Sequence, residues 1–321
     1  MMFCMKKSYL SALCLVVACG GGGGNNDGNT PPADAAQGTP DAYQPPSGFE
    51  RLIGGAWTLP AGAQDRYKCV RFTVPADTYI TNIVAQAPKG THHTVLSISD
   101  STTQGPDGQY ECNVSELGMV MLYASGVGTS PLNFPSGVGV KVAAGTQVHL
   151  NLHLYNASDA AISGESAIWV KSQPTPTPTL AEMVFAGKFL FQIPGMSQNY
   201  NVSGKACTAN RDYKVFALWP HMHQMATHSK FEVVRKVGMN TEVLHDKAYD
   251  FAEQGYYLQS PEIQINNGDE LRITCTYTNP TNQPVYFGDS SNKEMCFVGM
   301  YQYPAANSGL FECTDTNGAG F

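Results

Sequence analysis

Six of the eight histidines in this chain fall into three tight groups, His92-His93, His149 with His153, and His221 with His223, while His228 and His245 stand apart. Imidazole nitrogen is a ligand for copper, zinc, iron and nickel alike, so the grouping points first to metal chemistry. His221 and His223 flank Met222 at the end of the strand-like run Tyr213–Trp219. Side chains two apart on a strand leave from the same face, so both imidazoles can converge on one ion. His92 and His93 are adjacent and would ordinarily point to opposite faces. Their joint use as ligands requires a bulge or twist at strand entry, which Lys89-Gly90 can supply. His149 and His153 share a face of the run Val148–Tyr155, and either can serve as third ligand to a site in the first half of the chain. His228 and His245 belong to no motif and read as surface histidines.

The surroundings of these histidines narrow the choice of metal. No Asp or Glu lies close in sequence to His221-Met222-His223, which argues against an iron site of two histidines and a carboxylate. Six cysteines follow Cys19: Cys69, Cys112, Cys207, Cys275, Cys296 and Cys313. An even number in an exported chain points to three disulfides, and no C-x-x-C pair suggests a zinc ribbon or a thioredoxin-type centre. With the cysteines so committed, none is left to supply the thiolate of a blue-copper site. Histidines joined by a soft methionine favour copper cycling between Cu(I) and Cu(II), and Met222, Met225, Met295 and Met300 are candidates for that thioether.

The elements that must carry these ligands are β-strands. Apolar residues make up 42% of the chain and charged residues 14%, a composition of packed domains, and the Val, Thr, Tyr, Gly and Pro content leans to an all-β fold. Strand-like runs recur at Val70–Val74, Tyr79–Ala87, His93–Ile98, Val138–Val142, Gln147–Tyr155 and Ala167–Lys171. A second series comprises Met183–Ile193, Tyr213–Trp219, Phe231–Val237, Glu262–Ile265, Leu271–Tyr277 and Cys296–Tyr303, with an Asn267-Gly268 turn. Between the series, Gln173-Pro174-Thr175-Pro176-Thr177-Pro178 alternates proline and cannot pair inside a sheet. The expected architecture is two tandem antiparallel β-sandwich, jelly-roll-like domains, at 49–172 and 180–318, joined by this Pro-rich linker.

Ahead of them, Lys6-Lys7 and the apolar run Tyr9–Ala18 form a secretory signal, and Val16-Val17-Ala18-Cys19 resembles a bacterial lipobox. Residues 1–19 then read as a lipoprotein signal with Cys19 the lipidated residue. The absence of Asp after Cys19 favours the outer membrane, and residues 20–48 read as a flexible tether. The net charge of −7 gives no basic face for phosphate, so no nucleic-acid partner is expected.

Taken in order, these motifs resemble the copper type II, ascorbate-dependent monooxygenases, the family of peptidylglycine α-hydroxylating monooxygenase and dopamine β-monooxygenase. The resemblance covers roughly Tyr67 to Cys313. Tyr67-Lys68-Cys69 followed by His92-His93 resembles the family's first cysteine strand and paired histidines. Pro135-Ser136-Gly137-Val138-Gly139 resembles the stretch that leads to its third histidine, which places His153 at the ligand position and His149 off it. His221-Met222-His223 resembles the His-Thr-His pair, and Glu294-Met295-Cys296 the Glu-Met-Cys motif.

The resemblance implies that His92, His93 and His153 hold an electron-transferring copper. His221, His223 and Met295 would hold a second, oxygen-activating copper across a cleft, and would be the catalytic set. It implies O2 and ascorbate, or a similar one-electron reductant, as co-substrates. It also implies the pairings Cys69–Cys112, Cys207–Cys313 and Cys275–Cys296.

Departures from the family bear on substrate. Trp219-Pro220 stands where the peptide-amidating enzyme has an arginine, and Phe297 and Gly299 replace its Asn and Tyr. Losing a guanidinium and a phenol removes the means to bind a carboxylate, so a small apolar or aromatic substrate against Trp219 and Phe297 is expected. Asn151 stands where the family carries a glutamine. The competing reading is a non-catalytic copper carrier lipoprotein with the same ligands.

Overall fold

The computed structural model describes residues 43–316, apart from positions 119, 127, 128, 252, 289 and 291. Cys19 and the signal lie outside the described residues, as does most of the expected tether, whose described part, 43–48, holds no strand. The described chain is all-β, without a helix.

Strands before residue 181 pair only with one another, and so do those after it. In the first half, one sheet has the order Glu50–Leu59, Ile162–Gln173, Thr78–Gln86, Val138–Val142, Thr179–Leu180. The other runs Gly108–Glu111, Arg66–Thr73, Gln147–Leu154, Thr91–Ile98, Val120–Gly126. In the second half, a five-stranded sheet has the order Tyr257–Ile265, Tyr213–His221, Cys296–Tyr303, Glu182–Lys188, Phe311–Thr314. A four-stranded sheet, Ser197–Thr208, Glu270–Asn279, Ala226–Val234, Thr241–Ala248, packs behind it. Pairing is antiparallel except where Thr179–Leu180 meets Val138–Val142 and where Phe311–Thr314 meets Glu182–Lys188.

The site strands have unusual burial. Gln147–Leu154 and Cys296–Tyr303 are buried along nearly their whole length, with no alternation of inside and outside. A strand reads this way when both faces of its sheet are covered. In Cys296–Tyr303, Cys296, Val298 and Met300 enter the core of the second half, while Phe297 and Tyr301 turn the other way. There, with Phe185, Phe216 and Trp219, they continue the core of the first half. The two central sheets thus meet over an apolar surface.

Bulges set the final aim of the ligands. The register slips between Thr91 and His93, so His93 pairs with His153 and His92 is the extra residue. The strand-entry irregularity that adjacent histidine ligands require is therefore present. Just before it, Gly90 has φ +104°, a conformation a side chain disfavours. A second slip, between Val215 and Ala217, puts Ala217 and Trp219 toward the first half after Tyr213 and Val215 have faced the second-half core. The disulfides are Cys69–Cys112, Cys207–Cys313 and Cys275–Cys296, the pairs that the family resemblance implies.

Candidate metal centres

On the first central sheet, His92, His93 and His153 offer ring nitrogens that all lie within 4.8 Å of one another. His93 Nδ1 is 3.0 Å from His92 Nδ1 and 3.3 Å from His153 Nδ1. A first-row ion with bonds of ~2.0–2.1 Å to imidazole holds its nitrogens at roughly this spacing, so the donor set fits a metal. His153 is fixed from two sides. Tyr67, its cross-strand partner, stacks on its ring at 4.5 Å, and its Nε2 donates to Asp65 Oδ1 at 2.8 Å. A carboxylate can only accept, so Nε2 carries the proton and Nδ1 presents its lone pair toward His93. Burial pushes the His92 pKa down to about 4, with His153 adding to the depression. Burial also lowers His93 and His153, against the raising effect of Asp65 on the latter. All three imidazoles are therefore neutral at pH 7, the form that binds a cation.

The second set is organised by the same logic. His221 Nδ1 donates to Gln254 Oε1 at 3.0 Å, and His223 Nδ1 donates to the Lys293 carbonyl at 3.0 Å. Each bond leaves Nε2 as the lone-pair nitrogen. The two rings lie 5.5 Å apart at 87°, and Trp219 stacks on His221 at 5.0 Å. Burial first, then the neighbouring His223, takes the His221 pKa down to about 3.

Met295 joins them through its neighbours on the chain. Glu294 is fully buried, and its carboxylate accepts from the backbone N–H of His223 at 2.9 Å and of Met225 at 2.7 Å. Burial nevertheless raises its pKa to about 7, against the lowering effect of those backbone donors. Tyr277 donates its hydroxyl to the Met295 carbonyl at 2.6 Å, and Cys296 is tied to Cys275.

Both sets open on one cavity of about 400 Å³. His93 and His153 line it from the first half; His221, His223 and Met295 line it from the second. Much of its wall is aromatic: Phe185, Phe189, Trp219, Phe287, Phe297 and Phe311. The Phe297 ring occupies the place a Cβ on Gly187 would need, which is why a glycine sits there. No Asp, Glu, Lys or Arg is among the described lining residues. Asn151 reaches the cavity while its amide donates to the Asn113 carbonyl at 3.1 Å.

His149 does not join the first set. It is buried, and its Nε2 meets the Tyr110 hydroxyl at 2.9 Å. His245 corrects the surface reading: it is 5% exposed, its Nε2 meets Ser229 Oγ at 2.7 Å, and the Tyr257 ring packs edge-on against it at 4.5 Å. His228 is part-exposed beside Asp246. Sequence reasoning missed Asp65, Gln254 and Phe251. They sit in loops far along the chain from the histidines they serve, and no spacing rule links them.

Fold and geometry together define an all-β protein of stacked sandwiches in which two imidazole sets face one apolar cavity. Residues 181–317 match the family described as copper type II ascorbate-dependent monooxygenase, C-terminal domain. The human protein named "Putative DBH-like monooxygenase protein 2" is 23% identical over 238 residues. That match covers 67% of this chain and 47% of the relative, so the chain spans about half the length of the curated relative it matches. The second half of the chain is thus similar to the C-terminal domain of the copper type II ascorbate-dependent monooxygenases, and the human relative agrees with that likeness. Among solved structures, the major capsid protein P2 of bacteriophage PM2 aligns at 8% identity with a TM-score of 0.34, covering 80% of this chain and 100% of that one. The STIV MCP aligns at 11% identity and 0.30, covering 78% and 96%.

Proposed function

We propose that this protein is a monooxygenase that hydroxylates a C–H bond of a small apolar or aromatic substrate, using O2 and ascorbate or a similar one-electron reductant. His92, His93 and His153 would hold the electron-transferring copper, and His221, His223 and Met295 the copper at which substrate and O2 meet. Copper bound at these sites supplies the one-electron chemistry toward O2 that side chains cannot.

The observation that carries this reading is the control of tautomer. His153, His221 and His223 each commit one ring nitrogen to an oxygen acceptor and leave the other as the lone-pair donor. Histidines packed for structure alone have no need of that consistency. Met295 adds a thioether, which favours Cu(I), the state that reacts with O2. Glu294 acts as a positioning group, since both of its oxygens are engaged by backbone N–H groups around the second set. Trp219 and Phe297 offer aromatic surface to the substrate within a largely aromatic wall. The lipobox-like Val16–Cys19 supports an exported protein held on a lipid anchor, with the outer membrane favoured.

Met295→Ala tests the assignment. It should abolish substrate-coupled oxygen uptake while the first-half copper stays bound. Full turnover in that variant contradicts the role given to Met295, and loss of affinity at one site with no turnover even in the parent chain points to the carrier instead.

A further inference from the structure

The two histidine sets lie in different halves of the molecule, so something must set the distance between them. Phe251 touches a ring of each. Its ring centroid is 4.8 Å from that of His92 and 6.2 Å from that of His223. These separations are those of aromatic rings in contact.

The chain on either side of Phe251 is tied down at both halves. Two residues earlier, the Tyr249 hydroxyl accepts from the Met222 N–H at 3.1 Å and donates to the Met222 carbonyl at 2.7 Å, holding the residue between His221 and His223. Three residues later, the Gln254 carbonyl accepts from Gly126 N at 3.2 Å and from Thr129 Oγ1 at 2.9 Å, both in the first half. The same carbonyl accepts from Trp219 Nε1 at 3.3 Å, in the second. The Gln254 side chain orients His221 and donates its amide to the Phe251 carbonyl at 3.1 Å. Tyr256 then reaches the backbone of Ala124 and the hydroxyl of Tyr301.

We propose that Phe251 is a positioning residue, a strut whose ring fixes the separation of the two histidine sets, and hence of the two metal ions. The proposal rests on the reading of those sets as two copper centres. A flat, rigid ring suits this role because it fills the gap at a defined thickness and offers no ligand atom to either ion. A flexible or smaller side chain would let one set shift against the other, since removing core volume leaves a space that surrounding groups only partly fill.

The test is the magnetic dipolar coupling between two Cu(II) ions in the full chain, read by pulsed electron paramagnetic resonance in the parent, Phe251→Ala and Phe251→Leu. The parent should give one narrow distance distribution. Phe251→Ala should bind the same two coppers with a broadened, shifted distribution, and Phe251→Leu, which fills only part of the gap, should fall between Ala and the parent. An Ala distribution that superimposes on the parent's overturns the proposal while leaving two copper centres intact. A parent chain that takes up fewer than two Cu(II) overturns the two-centre reading, and the strut with it.

Discussion

Asp65 orients a ring of the first histidine set without being one of its three nitrogen donors. Its carboxylate selects the tautomer of His153 from a loop 88 positions away in sequence, at φ +47°. Removing such a partner typically lowers metal affinity ~10–100-fold. Asp65→Ala should therefore weaken copper at the first set by that factor and leave the second unchanged, as a competitive chelator titration would show. Equal affinities in parent and variant would remove Asp65 from the site. The histidines also predict a pH dependence of the metal-free protein. His92, His149 and His245 are held at about 4 and His221 at about 3, all below the ordinary 6.5, chiefly by burial. Between those values the unfolded chain takes up protons that the folded chain refuses, so stability is full above pH 6.5 and falls as pH drops toward 4. Glu294, raised to about 7 from 4.5, acts in the opposite sense across its own window, but it is one group against several. Chemical denaturation of apoprotein should show the midpoint falling steadily from pH 7 to 4.5. A flat profile would mean that these imidazoles are not held neutral by the fold.

At the scale of elements, the Cys275–Cys296 disulfide joins the strands Glu270–Asn279 and Cys296–Tyr303 immediately beside Met295. Closing a loop of sequence separation 21 is worth about 3 kcal/mol on the chain-entropy account. The double variant Cys275→Ala, Cys296→Ala should lose about that much stability in urea. It should lose activity beyond what stability explains, because Met295 is no longer pinned. Retention of parental turnover would show that Tyr277 and Glu294 suffice to hold the thioether. Strands of this kind were legible in the sequence where they are apolar: Tyr213–His221, Glu270–Asn279 and Cys296–Tyr303 each contain a run that periodicity alone picks out. Glu50–Leu59 was not, since Gly54-Gly55 reads as a break. In the fold a Cβ on Gly54 would lie 2.5 Å from that of Ala167, so the glycine permits close pairing with the neighbouring strand. Ser197–Thr208 and Thr241–Ala248 escaped for another reason. Both lie at the edges of the four-stranded sheet, largely exposed, and carry too little apolar pattern to register. The adjacent His92 and His93 could be read as a pair only by invoking a bulge, and the bulge is there. Asp65, Phe251 and Gln254 had no such signal, because loop partners are set by tertiary approach, which no period records.

For the molecule as a whole, the decisive feature is that both histidine sets open on one cavity whose described lining carries no charge. Burying an unpaired ion there would cost several kcal/mol, so a neutral ligand should be preferred over its carboxylate or ammonium analogue. Trp219 lines the cavity, and its fluorescence in the copper-free protein reports what the cavity holds. An uncharged aromatic should quench it, and Phe311→Ala should weaken that response, whereas a same-sized aromatic acid or amine should leave it unchanged. Tight binding of the charged analogues would reverse the substrate class. The central claim, that two copper sites in this cavity perform a coupled hydroxylation, is tested most directly by oxygen uptake of the purified copper-loaded protein with ascorbate and a panel of neutral aromatic and aliphatic compounds. The account predicts uptake that rises with one of these substrates and yields one hydroxylated product for each O2 consumed. Two bound coppers with ascorbate oxidation that no substrate accelerates, and no hydroxylated product, would contradict it.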